Sequence, residues 1–146
     1  MKILVINGPN LNMLGIREKD VYGADSYVNL VCHINDECLK AGLECEVFQS
    51  NSEGALIDKI QSAYNVFDGI IINAGGYSHT SIAIMDALKA IQLPCVEVHL
   101  SDIFQREEFR HFTYTSLVCV KSFIGGGFKS YTDAIKFLAE YLKNEA

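Results

Sequence analysis

Arginine is scarce in this chain. Only Arg17, Arg106 and Arg110 stand among 12 basic residues, and these face 18 Asp and Glu, for a formal net charge of −6 and a pI near 5.1. A generic binder of nucleic acid or of an anionic membrane surface would be basic, so neither partner is expected. Cysteine pairs are missing too: Cys32, Cys38, Cys45, Cys95 and Cys119 form an odd set with no CxxC. That argues against a disulfide framework or a zinc site and fits a reducing, cytoplasmic setting. Only two prolines occur, Pro9 and Pro94, both at element edges. No stretch approaches the ~20 apolar residues of a membrane span. The first apolar run stops at Gly8-Pro9, too short for a secretion signal. Low-complexity segments, repeats and linkers are absent, so the 146 residues are expected to form one domain, 1–146. Apolar residues make up 49%, high for a soluble domain.

Familiar cofactor signatures are missing as well. There is no GxGxxG after the first strand, no GxxxxGK[ST] and no HExxH or HxH, so neither cofactor nor metal is expected. Gly125-Gly126-Gly127-Phe128-Lys129-Ser130 echoes a phosphate loop but lacks its spacing.

What is present alternates between strand and helix. Ile3-Leu4-Val5-Ile6 is a continuous apolar run of the kind buried on both faces. A helix is expected over 26–41, a strand over 43–49, and then a helix whose capping box is Ser50 and Glu53. Gly69 to Asn73 reads as a third strand, 80–91 as a helix, and Cys95 to His99 as a fourth strand. Leu117 to Phe123 reads as a fifth strand, and 131–143 as the last helix. This order implies an α/β fold: a flavodoxin-like, doubly wound, five-stranded parallel sheet with helices on both faces.

In such sheets ligands bind outside the carboxyl ends of the strands. The residues there are Asn7 to Asn12, Gln49 to Asn51, Asn73 to His79, and His99-Leu100-Ser101. Asn and Ser are ordinary turn formers, but turns do not require histidine twice. Glu97 and His99 are two apart on a strand and share a face. They form either a general acid with its orienting carboxylate or a structural ion pair. His33 reads as structural, and His111 is ambiguous. Arg106 and Arg110, four apart, would share a face of a helical turn near this edge, suited to a carboxylate or phosphate. Tyr22 lies five residues after Arg17: it either packs or, with a cation nearby, serves as a base. The 80–91 helix is apolar nearly all round, which implies a second covering, most simply another subunit. Asp86 on it either pairs at that interface or completes a neighbour's site.

Together these segments resemble the type II 3-dehydroquinate dehydratases. The carrying stretches are Ile6 to Glu18, Tyr22-Gly23, Gln49 to Gly54, Asn73 to Ser81, Glu97 to Ser101, and Arg106 to His111. The resemblance implies a flavodoxin-like fold and a cofactor-free, metal-free elimination of water from 3-dehydroquinate through an enolate, giving 3-dehydroshikimate. By the same resemblance Tyr22 is the base, Arg17 stabilises its tyrosinate, Asn10 holds the enolate through a water, and His99 is the acid oriented by Glu97. Asn73, His79, Arg110 and the Leu100-Ser101 backbone bind substrate. Arg106 belongs to a lid, Asp86 is supplied by an adjacent subunit, and the family assembles as a dodecamer of four trimers. Departures from the family pattern include Lys19, Ala74, Gly76, Asp102 and Lys121, of which Asp102 adds a negative charge near the pocket. The competing reading is a flavodoxin-like module that binds a small anion without chemistry.

Overall fold

The apolar runs do form one parallel sheet, and its strand order explains where a ligand can sit. The computed structural model describes residues 1–16 and 25–145. Its strands are β1 (Lys2–Asn7), β2 (Glu44–Gln49), β3 (Gly69–Asn73), β4 (Cys95–His99) and β5 (Lys121–Ile124). Its helices are α1 (Tyr27–Lys40), α2 (Glu53–Ser62), α3 (Ile82–Ile91) and α4 (Phe128–Glu145). The order across the sheet is β2-β1-β3-β4-β5, all parallel. The winding reverses at β1, so the chain leaves β1 and β3 in opposite directions and opens a crevice at their carboxyl ends.

Alternation along each strand splits the core. Ile3, Val5, Ile71, Val96 and Val98 face α1 and α4, while Leu4, Ile6, Ile70, Ile72 and Cys95 face α2 and α3. The central strands β1, β3 and β4 are covered on both sides, as their unbroken apolar runs require. Serine caps three helices: Ser26, Ser52 and Ser81 accept from the backbone N–H groups of Asn29, Ala55 and Ile84 at 3.2, 3.2 and 2.9 Å.

Several boundaries differ from the expectation. The cap of α2 is Ser52, not Ser50, whose hydroxyl instead accepts from the Ser52 N–H at 3.0 Å. The fifth strand begins at Lys121, because its register on β4 starts with Val96↔Lys121. Thr115–Leu117 ahead of it is a 3-10 turn, and the apolar side chain of Leu117 is exposed. The last helix starts at Phe128, three residues early, because Ser130 reaches back to accept from the Gly126 N–H at 2.9 Å. No phosphate cradle exists there. The Gly125 and Gly127 N–H groups are donated to the His99 and Leu100 carbonyls, so all three glycine amides are committed. Among the described residues no helix is long and apolar enough to cross a membrane.

Candidate active site

A cavity of about 220 Å³ opens at the carboxyl ends of β1, β3 and β4. Pro9, Asn10 and Leu11 line it after β1; Asn73, Gly75, Gly76 and His79 after β3; and His99, Leu100, Ser101, Ile103, Arg106 and Arg110 after β4. Eight residues singled out from the sequence therefore line one cavity: Asn10, Asn73, His79, His99, Leu100, Ser101, Arg106 and Arg110. Glu97 lies beneath them. Asp86 does not reach this cavity, being exposed on α3. Tyr22 and Arg17, with Lys19, lie outside the described residues.

Close backbone approach builds the floor. The Gly8 N–H donates to the Asn73 carbonyl at 2.7 Å, and a Cβ on Gly8 would sit 2.4 Å from the Ala74 oxygen. Only glycine allows the loops after β1 and β3 to touch in this way. Asn10 takes a left-handed backbone (φ 71°), tolerated by asparagine, and its N–H donates to Asn51 Oδ1 at 3.0 Å. Gln49 Nε2 lies 3.1 Å from the Gly8 carbonyl, 3.1 Å from Asn51 Oδ1 and 3.3 Å from Asn12 Oδ1. The end of β2 thus ties down the Asn10 loop without lining the cavity.

Asn73 is fixed from below. Its Nδ2 donates to the Tyr131 hydroxyl at 3.0 Å, and its Oδ1 accepts from the Gly75 N–H at 3.2 Å. Tyr131 in turn donates to Asn7 Oδ1 at 2.6 Å, and Asn7 Nδ2 donates to the Tyr27 hydroxyl at 3.3 Å. Tyr27 opens α1. Burial pushes the phenols of Tyr131 and Tyr27 above their ordinary range, so both stay protonated.

The histidines differ in kind. His79 Nδ1 lies 2.9 Å from the Phe112 carbonyl, which can only accept, so Nδ1 carries the hydrogen. Burial lowers the pKa of His79; the Phe112 bond opposes this, and repulsion from His99 and Arg110 adds to it. His79 is therefore a neutral ring at neutral pH, stacked on His99 with centroids 6.1 Å apart. His99 Nε2 is 3.3 Å from Glu97 Oε2 but is not aligned for a full hydrogen bond. Burial alone would raise the pKa of Glu97. The contact with and charge of His99, with the Thr115 and Ser122 hydroxyls, outweigh burial and hold the carboxyl below its usual range. Glu97 and His99 do share a face of β4, as their spacing requires. His33 Nε2 meets Thr132 Oγ1 at 2.7 Å between α1 and α4, and is structural. His111 Nε2 lies 3.1 Å from the Arg106 carbonyl and closes the arginine-bearing turn.

The arginines reach the cavity without a continuous helix. Arg106 is extended and separates two 3-10 turns, Ile103–Gln105 and Glu108–Arg110. Arg110 Nε pairs with Glu107 at 2.5 Å, at the surface, and its guanidinium lies 5.2 Å from the Phe109 ring centroid. Asp102 caps the first of these turns: Oδ1 accepts from the Phe104 N–H at 3.1 Å and Oδ2 from Gln105 Nε2 at 2.9 Å. Lys121 is exposed, with its ammonium 5.9 Å from the Phe123 ring centroid. Among the described residues no group of three His, Cys, Asp or Glu side chains could hold a metal ion.

Thr113, Thr115, Ser122 and Tyr131 carry no functional signal in the sequence, whereas Gln49 stands at a strand end, as expected, but supports the Asn10 loop and does not line the cavity. Ser122 could have been found from the β4–β5 register, Glu97↔Ser122, which no local pattern supplies.

Arranged in this way, the cavity offers arginines for an anion, asparagine amides for oxygen atoms, and a histidine backed by an ionised carboxylate for a proton. Known proteins match this chain along nearly its whole length. The family model described as "Dehydroquinase class II" matches residues 1–139. A 3-dehydroquinate dehydratase of Clostridium acetobutylicum is 53% identical over 142 residues, covering 97% of this chain and 99% of that one. The 3-dehydroquinate dehydratase of Fusobacterium nucleatum is 53% identical over 144 residues, covering 97% and 98%. The crystal structure of a type II dehydroquinase from Butyrivibrio crossotus superposes with a TM-score of 0.92 at 54% identity, covering 94% of this chain and 97% of that one. With sequence and architecture both matched over nearly the whole length, this chain belongs to the class II dehydroquinase family.

Proposed function

We propose that this cavity removes water from 3-dehydroquinate to give 3-dehydroshikimate, by proton abstraction and enolate formation. The observation that carries it is the convergence of Asn10, Asn73, His79, His99, Arg106 and Arg110 on one cavity, in a chain of this family. Arg110 receives the substrate carboxylate, with Arg106 closing over it. Tyr22, as tyrosinate stabilised by Arg17, removes the C2 proton. The electron pair moves onto the ketone oxygen, and Asn10 holds that enolate charge through a water. Collapse of the enolate expels the hydroxyl, which takes a proton from His99 and leaves as water. Asn73, His79 and the Leu100-Ser101 backbone hold the remaining oxygens. No cofactor or metal is called for.

The same reading extends to assembly. The outer face of α3 carries exposed Ile82 together with Asp86. A second subunit covering that face would bring Asp86 toward a neighbouring site, consistent with a dodecamer of four trimers. It also gives the 49% apolar content a use beyond one core. A single catalytic domain, 1–146, acting in the cytoplasm on a small molecule and without nucleic acid or membrane, completes the proposal. A pure binding module would retain affinity and make no product. The test is Tyr22→Phe beside His99→Gln: both should lose turnover by orders of magnitude while still binding substrate. Full turnover in either removes that residue from its role.

A further inference from the structure

The Glu97 carboxylate is 1% exposed and is met by three hydroxyls. Ser122 Oγ donates to Oε1 at 2.8 Å and Thr113 Oγ1 to the same oxygen at 3.3 Å. Thr115 Oγ1 donates to Oε2, the oxygen that also faces His99 Nε2 at 3.3 Å. We propose that Thr113, Thr115 and Ser122 are positioning residues that fix the Glu97 carboxylate in one orientation under His99 and temper its pull on the imidazole proton, so that the proton can be transferred. This rests on His99 being the proton donor of the reaction above.

Donor counting supports it. An ionised carboxylate only accepts, and a hydroxyl has one hydrogen to give. Three such hydrogens are spent here on one buried anion, from two separate elements. Ser122 sits on β5, opposite Glu97 in register. Thr113 and Thr115 come from the segment after Arg110, which is pinned by the Tyr114 N–H on the Ser78 carbonyl at 2.7 Å and by Ser116 Oγ on the Thr113 carbonyl at 2.9 Å. Both threonines are buried. With Oε1 held by two hydroxyls, only Oε2 is presented to the ring, and His99 Nε2, buried and without an aligned partner, can turn onto one oxygen only.

The hydroxyls also decide how tightly the pair holds its proton. Donors to the charged form of a carboxylate keep it charged. Without them Glu97 is more basic, most of all when His99 is neutral, and the pair holds its proton more tightly. The other titratable groups near the pair do not supply this effect. His79 stacks on His99 as a neutral ring. Cys95, on the Glu97 face of β4 and 3.2 Å from the Cys119 sulfur, is kept neutral by burial. Arg106 and Arg110 stand on the cavity wall.

The test uses the full chain with Thr115→Val, Ser122→Ala and, as the conservative variant, Thr115→Ser. Two readouts apply: the pH profile of kcat/KM with 3-dehydroquinate, and the ring-nitrogen NMR titration of His99 in the resting enzyme, one of only four histidines. Thr115→Val and Ser122→Ala should each move the His99 titration upward by about half a pH unit or more and lower kcat, while Thr115→Ser restores both. Reduced kcat with an unmoved titration in both variants, or failure of Thr115→Ser to restore it, overturns the proposal. If Thr115→Val does not fold, Ser122→Ala alone decides, since it removes a donor from the other oxygen. The NMR titration also separates this proposal from the acid assignment. A His99→Gln enzyme with full turnover refutes the acid, whereas an unmoved His99 titration refutes the hydroxyl set.

Discussion

Asn7 and Asn73 stand opposite each other in register on β1 and β3, and the buried hydroxyl of Tyr131 joins their side chains. One phenol from α4 therefore orients a cavity-lining amide and links it, through Asn7, to Tyr27 at the start of α1. Phenylalanine at 131 would keep the packing and strand two buried polar groups, Asn73 Nδ2 and Asn7 Oδ1. Tyr131→Phe is expected to cost about 1–3 kcal/mol in stability. KM for 3-dehydroquinate should rise more than kcat falls, because a binding amide is loosened and no reacting group is lost. Steady-state kinetics with chemical denaturation checks both.

Acid should weaken the fold through two groups acting in the same direction. Glu97 is held below the usual carboxylate range, so its contribution is fully present above the unfolded value of about 4.3 and is lost as pH falls through its lower folded value. His79 is held below the ordinary histidine value of about 6.5, so its unfolded form binds protons first and stability drops as pH falls below that value. Melting temperature should decline in two stages, first below about pH 6.5 as the His79 contribution is lost and again below about pH 4.3 as that of Glu97 is lost. Glu97→Gln should melt lower at pH 7 and show a flatter lower limb. A wild-type melting temperature constant from about pH 7 to about pH 4.5 would contradict the His79 assignment, and one constant below about pH 4.3 would contradict the Glu97 assignment.

Gly8 tests the floor of the cavity. Its missing Cβ leaves room for the Ala74 carbonyl, which a methyl group would meet at 2.4 Å. Backbone on both sides must move, so Gly8→Ala should cost about 1–3 kcal/mol or more. Because the shift separates the Asn10 and Asn73 loops, activity should fall further than stability alone explains. Thermal melting and turnover on the same preparation measure the two effects.

Thiol chemistry should follow burial. Cys32 is exposed, Cys45 and Cys119 are half-buried, and Cys38 and Cys95 are buried with their thiols pushed well up by desolvation. A thiol reagent at neutral pH should therefore label Cys32 first and leave Cys38 and Cys95 untouched until denaturant is added. Mass mapping of the modified peptides over time checks this order.

Much of the fold was legible because buried parallel strands advertise themselves. Ile3 to Ile6 and Gly69 to Asn73 are unbroken apolar runs, and the alternation with helices gave both the sheet and the edge where a ligand binds. The candidate site followed, since Asn10, Asn73, His79 and His99 all stand just past strand ends or on them. β5 was harder. Its apolar run begins at Leu117, yet pairing with β4 starts only at Lys121, because register depends on a neighbour far away in sequence. The hydroxyls around Glu97 were hidden for the same reason. Thr113, Thr115 and Ser122 look like ordinary surface-strand residues until β5 and the preceding turn fold against β4. The Ser50 cap failed locally: Ser50 and Ser52 both offer a hydroxyl, and the chain chose the one adjacent to the first helical residue.

The most direct measurement is absorbance during incubation of the metal-stripped chain with 3-dehydroquinate and no added cofactor. Elimination of water creates a carbon–carbon double bond conjugated to the ketone, so ultraviolet absorbance should rise until equilibrium and the product should be 3-dehydroshikimate. No rise at saturating substrate, with the protein folded and binding 3-dehydroquinate, would contradict the proposed function and favour a binding module.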